Sequence, residues 1–194
     1  PQKTPVDPYG GREDIQAKLL KPVPETEAAY RKDPVRMLKA IKYVSMYNFD
    51  LHKSLADIIV RNSGLLTQGD KDDILYEYTQ IITGEYTGKA LKMMADLGLL
   101  AGVLGEKAVS SAGKTAVKEF GILCNNIDKT KQIPLRRMAL VAMCFGKRYN
   151  DIINNLPYEE EDLKLMIDAD RYSQDLHFAG NDTLLKQFIY KHGW

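Results

Sequence analysis

Apolar residues in this chain return every three or four positions, and glycine or proline interrupts them at about the length of a helix. That spacing suits helices and not half-buried strands, whose side chains alternate with a period of two. Met37, Leu38, Ile41 and Val44 form one stripe. Leu51, Leu55, Ile58 and Ile59 form a second, closed at Gly64. Ile74, Leu75, Tyr78, Ile81 and Ile82 follow, between the capping acids Asp70 and Asp72 and the stop at Gly84. Ala90, Leu91, Met94 and Leu97 run to Gly98. A helix over 111–127 turns Ala116, Val117, Phe120 and Leu123 inward, and the next opens at Pro134 and buries Leu135, Met138, Val141, Ala142 and Phe145. The acids at 159–162 suit a helix N-terminus, after which Leu163, Met166 and Ile167 face a core. A last helix begins near Asp182, with Leu185, Phe188 and Ile189 inward.

The expected fold is therefore all-α, a multi-helix array with a short extended N-terminal arm. The strand-like run Lys18–Val23 reads as the last strand of a sheet whose partners lie elsewhere, leaving a loose arm. Small residues between 98 and 113 place a boundary near 101–112. Three parts result: an arm of residues 1–24, a helical part over 25–105 and a second over 106–194. A hydrophobic content of 44% and a charged content of 27% belong to a folded globular chain. No apolar run reaches membrane-spanning length. A net charge of +1 excludes a general nucleic-acid sponge, so any RNA contact must come from local basic patches.

Little in the chain looks like a catalytic centre. Cys124 and Cys144 sit among apolar residues and read as buried thiols. His52, His177 and His192 have no neighbouring ligand pattern, and there is no P-loop or nucleophile motif. Asp70-Lys-Asp72 and Asp168-Ala-Asp170 have Asp-x-Asp spacing, but they read as helix residues and not as metal ligands. No catalytic and no metal-binding residue is assigned.

The helix that opens at Asp33-Pro34 carries the most chemistry. Asp33 is a good N-cap and Pro34 suits the first helical position. Arg36, Lys39 and Tyr43 share a face away from the apolar stripe. Asp33 and Arg36 can present an acceptor and a planar donor fork to one small object, such as a nucleobase edge. From the residues alone, a surface ion pair on a capped helix is the plainer reading. Ahead of it lies the glycine-rich turn Asp7-Pro-Tyr-Gly-Gly-Arg-Glu-Asp14.

Taken together, the turn at 7–15 and the run Tyr30-Arg-Lys-Asp-Pro-Val-Arg-Met-Leu-Lys-Ala-Ile-Lys-Tyr43 resemble the bacterial poly(A) polymerase and CCA-adding tRNA nucleotidyltransferase family. The resemblance covers residues 7–49 well and continues weakly through 74–78 and 90–100. It implies that Asp33 and Arg36 hydrogen-bond the incoming nucleotide base. It implies that Gly10, Gly11 and Asp14 belong to a hinge joining a catalytic head to a helical neck. Residues 1–24 then end the head, 25–105 are the neck and 106–194 a helical body. Lys32 departs from the family's glutamate, and Asp73 from its arginine. Lys39, Lys42 and Tyr43 stand for arginine, arginine and phenylalanine.

The family's Gly-Ser and Asp-x-Asp element, which holds catalytic metal, has no counterpart here. The chain is expected to be a piece that begins near the end of the head, or to come from a head-less relative. The resemblance further implies a cytoplasmic parent enzyme using Mg²⁺ with ATP or CTP on an RNA 3′ end, of tRNA or mRNA. None of these cofactors is expected to bind this chain alone. The run from Tyr30 to Leu38 looks slightly more like the poly(A) polymerase branch.

Two basic clusters are weighed differently. For Arg31, Lys32, Lys39 and Lys42 the resemblance implies RNA contact, with Tyr43 placed to stack on a base. Arg136, Arg137, Lys147 and Arg148 read as solvated helix faces, although Tyr149 beside them has the chemistry to stack. The leading reading is a nucleotide-selecting, RNA-binding module of an RNA 3′-end nucleotidyltransferase. The alternative is a non-catalytic helical module that binds RNA or protein.

Overall fold

The computed structural model describes residues 6–179, with side chains up to residue 171. Among these residues the fold is all-α apart from one two-stranded pair, as the periodicity predicts. α1 (Gly11–Gln16) leads into β1 (Leu19–Leu20), α2 (Thr26–Lys32) and α3 (Arg36–Tyr47). β2 (Asp50–Leu51) and α4 (Lys53–Asn62) follow, and a 3₁₀ segment over Ser63–Gln68 carries the chain past Gly64. α5 (Lys71–Ile82) and α6 (Thr87–Asp96) complete the first part. Then come α7 (Leu100–Leu104), α8 (Glu106–Ser110), α9 (Lys114–Asn126), α10 (Pro134–Met143), α11 (Tyr149–Ile153) and α12 (Glu160–Ala179). The helix expected from Asp182 lies outside the described residues.

α3 is the central element, packing on both α5 and α6. Met37, Leu38, Ile41 and Val44 are fully buried, and each such side chain contributes about 1.5–3 kcal/mol of burial free energy. Asn48, in the left-handed region at φ 59°, ends α3 and donates its N–H to the Val44 carbonyl at 3.0 Å. Asp70 caps α5 as expected, accepting from the Asp72 and Asp73 N–H groups at 3.0 Å each.

The extended arm is not loose. β1 pairs in parallel with β2, Leu19 opposite Asp50 and Leu20 opposite Leu51. Asp50 N–H donates to Lys18 O at 2.7 Å and His52 N–H to Leu20 O at 2.9 Å. The strand finds its partner in the turn between α3 and α4, a segment too short to announce itself by alternation.

One buried guanidinium ties α10 to the turn between α5 and α6. Arg137 of α10 is 1% exposed, where a solvated face was expected. Its Nη1 donates to the carbonyls of Ile82 and Gly84 at 3.0 and 3.1 Å and to Thr87 Oγ1 at 3.0 Å. Nη2 reaches Thr130 O at 2.9 Å and Nε reaches Thr130 Oγ1 at 3.1 Å. The cation thus sits at the C-terminal end of α5, where free carbonyls and the helix dipole favour positive charge. Burial lowers its pKa from the ordinary arginine value, and the nearby Asp128 carboxylate opposes that shift. The backbones also approach closely nearby. A Cβ on Gly88 of α6 would lie 2.0 Å from the Cys124 carbonyl oxygen of α9.

Other departures are local. Val117 and Ile167 face solvent, because Phe120 and Cys124 on α9, and Met166 and Ala169 on α12, take the inward positions. Tyr149 is buried with its hydroxyl donating to Met166 O at 2.6 Å, so it offers no stacking face. Cys124 and Cys144 are free, buried thiols as read. Burial pushes Cys124 up to about 11 and Cys144 up to about 12.

Two predictions follow from this packing. Arg137→Ala removes five donor contacts from three carbonyls and two hydroxyls in the core, and should cost about 3 kcal/mol or more, read as a lowered urea midpoint. Both thiols stay protonated at pH 8, so the native protein should react with a thiol-disulfide reagent far more slowly than the urea-unfolded chain.

Candidate nucleotide-binding site

The inward face of α3 is spent on the core, and the outward face carries the candidate site. Asp33 does not cap α3. Its backbone carbonyl accepts the Arg36 N–H at 3.3 Å, and the first turn closes through such tight bonds from Met37 to Pro34 and Leu38 to Val35. With those donors already satisfied, the carboxylate turns to Arg36 instead. Arg36 Nε donates to Asp33 Oδ2 at 3.1 Å. The side chains are 42% and 55% exposed, so the pair is open to a ligand. The bond uses Nε and so does not engage the terminal guanidinium nitrogens.

Arg36, Lys39 and Tyr43 line one shallow groove of about 330 Å³. Lys21 and Val23, from the arm that the β1–β2 pairing holds, and Thr26 and Tyr30 from α2 line it as well. Burial raises the Tyr30 phenol above its ordinary value. Asp33 is not among the residues that line this groove and is joined to it through Arg36, so the groove itself offers a planar donor, further cations and a partly apolar lining, which suit a flat, anion-bearing ligand.

The other expected residues divide. Lys42 is turned from this groove, with its ammonium 2.8 Å from the buried Glu77 carboxylate of α5. Lys32 is exposed on α2, and Arg36 takes its carboxylate partner from Asp33 alone. The next acid in sequence beyond Asp33, Glu27, is occupied by Arg61 at 3.1 Å and Arg31 at 3.0 Å, which hold its pKa below the ordinary glutamate value. Gly10 adopts φ 71° at the start of α1, a conformation that favours glycine. Asp7 accepts from the Gly11 N–H at 2.7 Å and the Arg12 N–H at 3.0 Å, and these bonds lower its pKa. Asp14 is ion-paired with Lys21, linking α1 to the groove wall.

Two residues on this face were not singled out from the sequence. Lys21 sits in the arm and reaches the groove only through strand pairing. Tyr47 lies one helical turn beyond Tyr43, and the four-residue spacing was the available signal. Among the described residues, no group of three or more His, Cys, Asp or Glu side chains could hold a metal ion. No helix among them is long and apolar enough to cross a membrane.

No family model matches the chain. The CCA-adding enzyme of Geobacillus stearothermophilus is 33% identical over 107 residues, which are 54% of this chain and 26% of that protein. The CCA-adding enzyme of Geobacillus thermodenitrificans is 32% identical over 96 residues, 50% of this chain and 24% of that protein. A crystal structure of the Bacillus stearothermophilus CCA-adding enzyme in complex with CTP superimposes with a TM-score of 0.63 at 25% identity, covering 91% of this chain and 42% of that one. The matched stretches thus span about a quarter of the curated relatives. The resemblance read from residues 7–49 is borne out, and these relatives are named for CCA addition, not for poly(A) synthesis.

The geometry generates a prediction of its own. Asp14→Ala removes the ion pair to Lys21 at the groove wall. Exposed pairs of this kind contribute about 0–1 kcal/mol, so thermal stability should change by at most that amount while the helix content measured by circular dichroism stays constant.

Proposed function

Because this chain is similar to CCA-adding enzymes through its helical region, we propose that it is the nucleotide-selecting and RNA-positioning part of an enzyme that extends RNA 3′ ends. The favoured substrate is a tRNA 3′ end receiving cytidine and adenosine. The observation that carries this reading is the exposed Asp33–Arg36 pair, joined at 3.1 Å, whose arginine lines the groove.

The chemistry of the pair gives the selectivity. Cytosine and adenine each present an exocyclic amine donor beside a ring-nitrogen acceptor. The Asp33 carboxylate accepts from the amine, and the Arg36 guanidinium donates to the ring nitrogen. Guanine and uracil present a carbonyl oxygen where the amine would be, which leaves the carboxylate facing another acceptor. The protein itself therefore acts as the template. Lys39 lies one turn along the same face to meet phosphate, and Tyr43 offers a ring.

In this reading Gly10, Gly11 and Asp14 belong to the junction with a catalytic head. Residues 25–105 form the neck and the helices beyond form the body that supports it. Lys42 is not assigned to RNA, since Glu77 holds its charge. Mg²⁺ chemistry does not fit the residues present in the described part, and no reaction step is routed through them.

Equilibrium binding of the four nucleoside triphosphates to the full-length parent enzyme tests the proposal. The parent should prefer CTP and ATP over UTP and GTP. Arg36→Ala and Asp33→Ala should each reduce that preference by roughly tenfold, the scale of about 1–3 kcal/mol for a paired base contact. Equal binding of all four by the unaltered parent, or an unchanged preference in both variants, refutes base selection by this pair.

A further inference from the structure

We infer that Tyr43 and Tyr47 together form a stacking platform for unpaired bases of a single-stranded RNA 3′ end, about three nucleotides behind its terminus; this rests on the nucleotide-selecting reading of Asp33 and Arg36. The two rings are near-parallel, with centroids 6.2 Å apart and planes inclined by 25°. That is the offset stacking geometry of aromatic pairs. Both are large apolar side chains left half in solvent, Tyr43 45% and Tyr47 50% exposed. Neither ring belongs to the buried core, so core packing does not account for this continuous aromatic surface.

The position of the platform selects its occupant. Arg36, Tyr43 and Tyr47 stand at i, i+7 and i+11 on α3, which places them on one line along the helix. Lys39 lies beside that line, between the guanidinium and the rings. Seven residues of helix advance about 10 Å, and stacked nucleotides advance about 3.4 Å each, so about three nucleotides span the distance. A strand whose terminal residue meets the nucleotide at Asp33–Arg36 thus lays its preceding bases over the tyrosines. Lys39 is placed for the intervening phosphates. Base stacking on aromatic rings tolerates any base, which suits a surface that must hold the strand without reading it. The far end of the platform is fixed as well. Asn48 terminates α3 directly after Tyr47, and its side-chain oxygen is held by Lys89 Nζ at 2.9 Å.

A hexaribonucleotide with 2-aminopurine at the third position from its 3′ end tests the platform on the full-length parent enzyme, with ATP and CTP binding measured in parallel. Stacking on the rings should quench the fluorophore on binding. Tyr47→Ala and Tyr43→Ala should each weaken oligonucleotide binding by roughly five- to a hundredfold and restore fluorescence, and Tyr47→Ala, which lies outside the groove lining, should leave ATP and CTP affinity unchanged. Tyr47→Phe should behave as the unaltered parent, because it keeps the ring. Unchanged quenching in the double alanine variant overturns the platform, and so does a Tyr47→Phe variant as weak as Tyr47→Ala. If the oligonucleotide fails to bind while CTP and ATP bind through Arg36, the platform falls and base selection stands. If neither ligand binds, both fall.

Discussion

The array depends on one cation in the wrong place for a surface residue. Arg137 brings five donor contacts to the end of α5, and its ligands are carbonyls and hydroxyls from three separate segments. Helix ends leave carbonyls without partners, and burying them is costly unless a donor arrives. Here a single rigid guanidinium satisfies the turn after α5, the start of α6 and the loop before α10 together. A lysine could not, since its three donors radiate from one point and cannot span that spread. The turn it fixes is also gripped from α3, where Ser45 donates to Ile81 O at 2.6 Å and accepts the Tyr86 N–H at 2.8 Å through its carbonyl. The orientation of α3 against α5 and α6, and with it the aim of the outward face, follows from this knot of polar bonds inside an apolar core.

α3 itself separates two tasks by angle around one axis. Its buried side is apolar and immobilised, which holds the backbone in register. Its open side presents Asp33, Arg36, Lys39 and the tyrosines from that rigid backbone. In the proposed function, a pair carried at the entry to this packed helix meets the condition for a fixed hydrogen-bonding pattern to discriminate between similar bases. Lys42 shows where the division lies: one step around the helix, its charge belongs to Glu77 and to the packing of α3 on α5.

Much of this was legible in the sequence because helical periodicity is a local signal. The stripes at 37–44, 74–82, 90–97 and 134–142, the cap at Asp70 and the buried cysteines all follow from neighbours a few residues apart. The misreadings share a different cause. Arg137 read as solvated because nothing within a helical turn reveals that unpaired carbonyls from residues 82, 84 and 130 converge on it. The arm read as loose because its partner strand is two residues long and thirty residues away. Asp33 read as a cap because its residue type and Pro34 fit one, whereas the tight first turn of α3 had already engaged the backbone donors. Of the candidate site, the Asp33–Arg36 pairing, Lys39 and Tyr43 were visible as one face. Lys21 and the joint geometry of Tyr43 with Tyr47 needed the fold.

The β1–β2 pairing has a mechanical consequence. The chain enters through α1, is clamped to the turn between α3 and α4, and only then runs through α2 to Asp33. Leu19 and Leu20 therefore act as an anchor: the backbone bonds from Asp50 to Lys18 and from His52 to Leu20 fix where the arm leaves the helices, so the approach of the chain to α2 and Asp33 is set by the far end of α3.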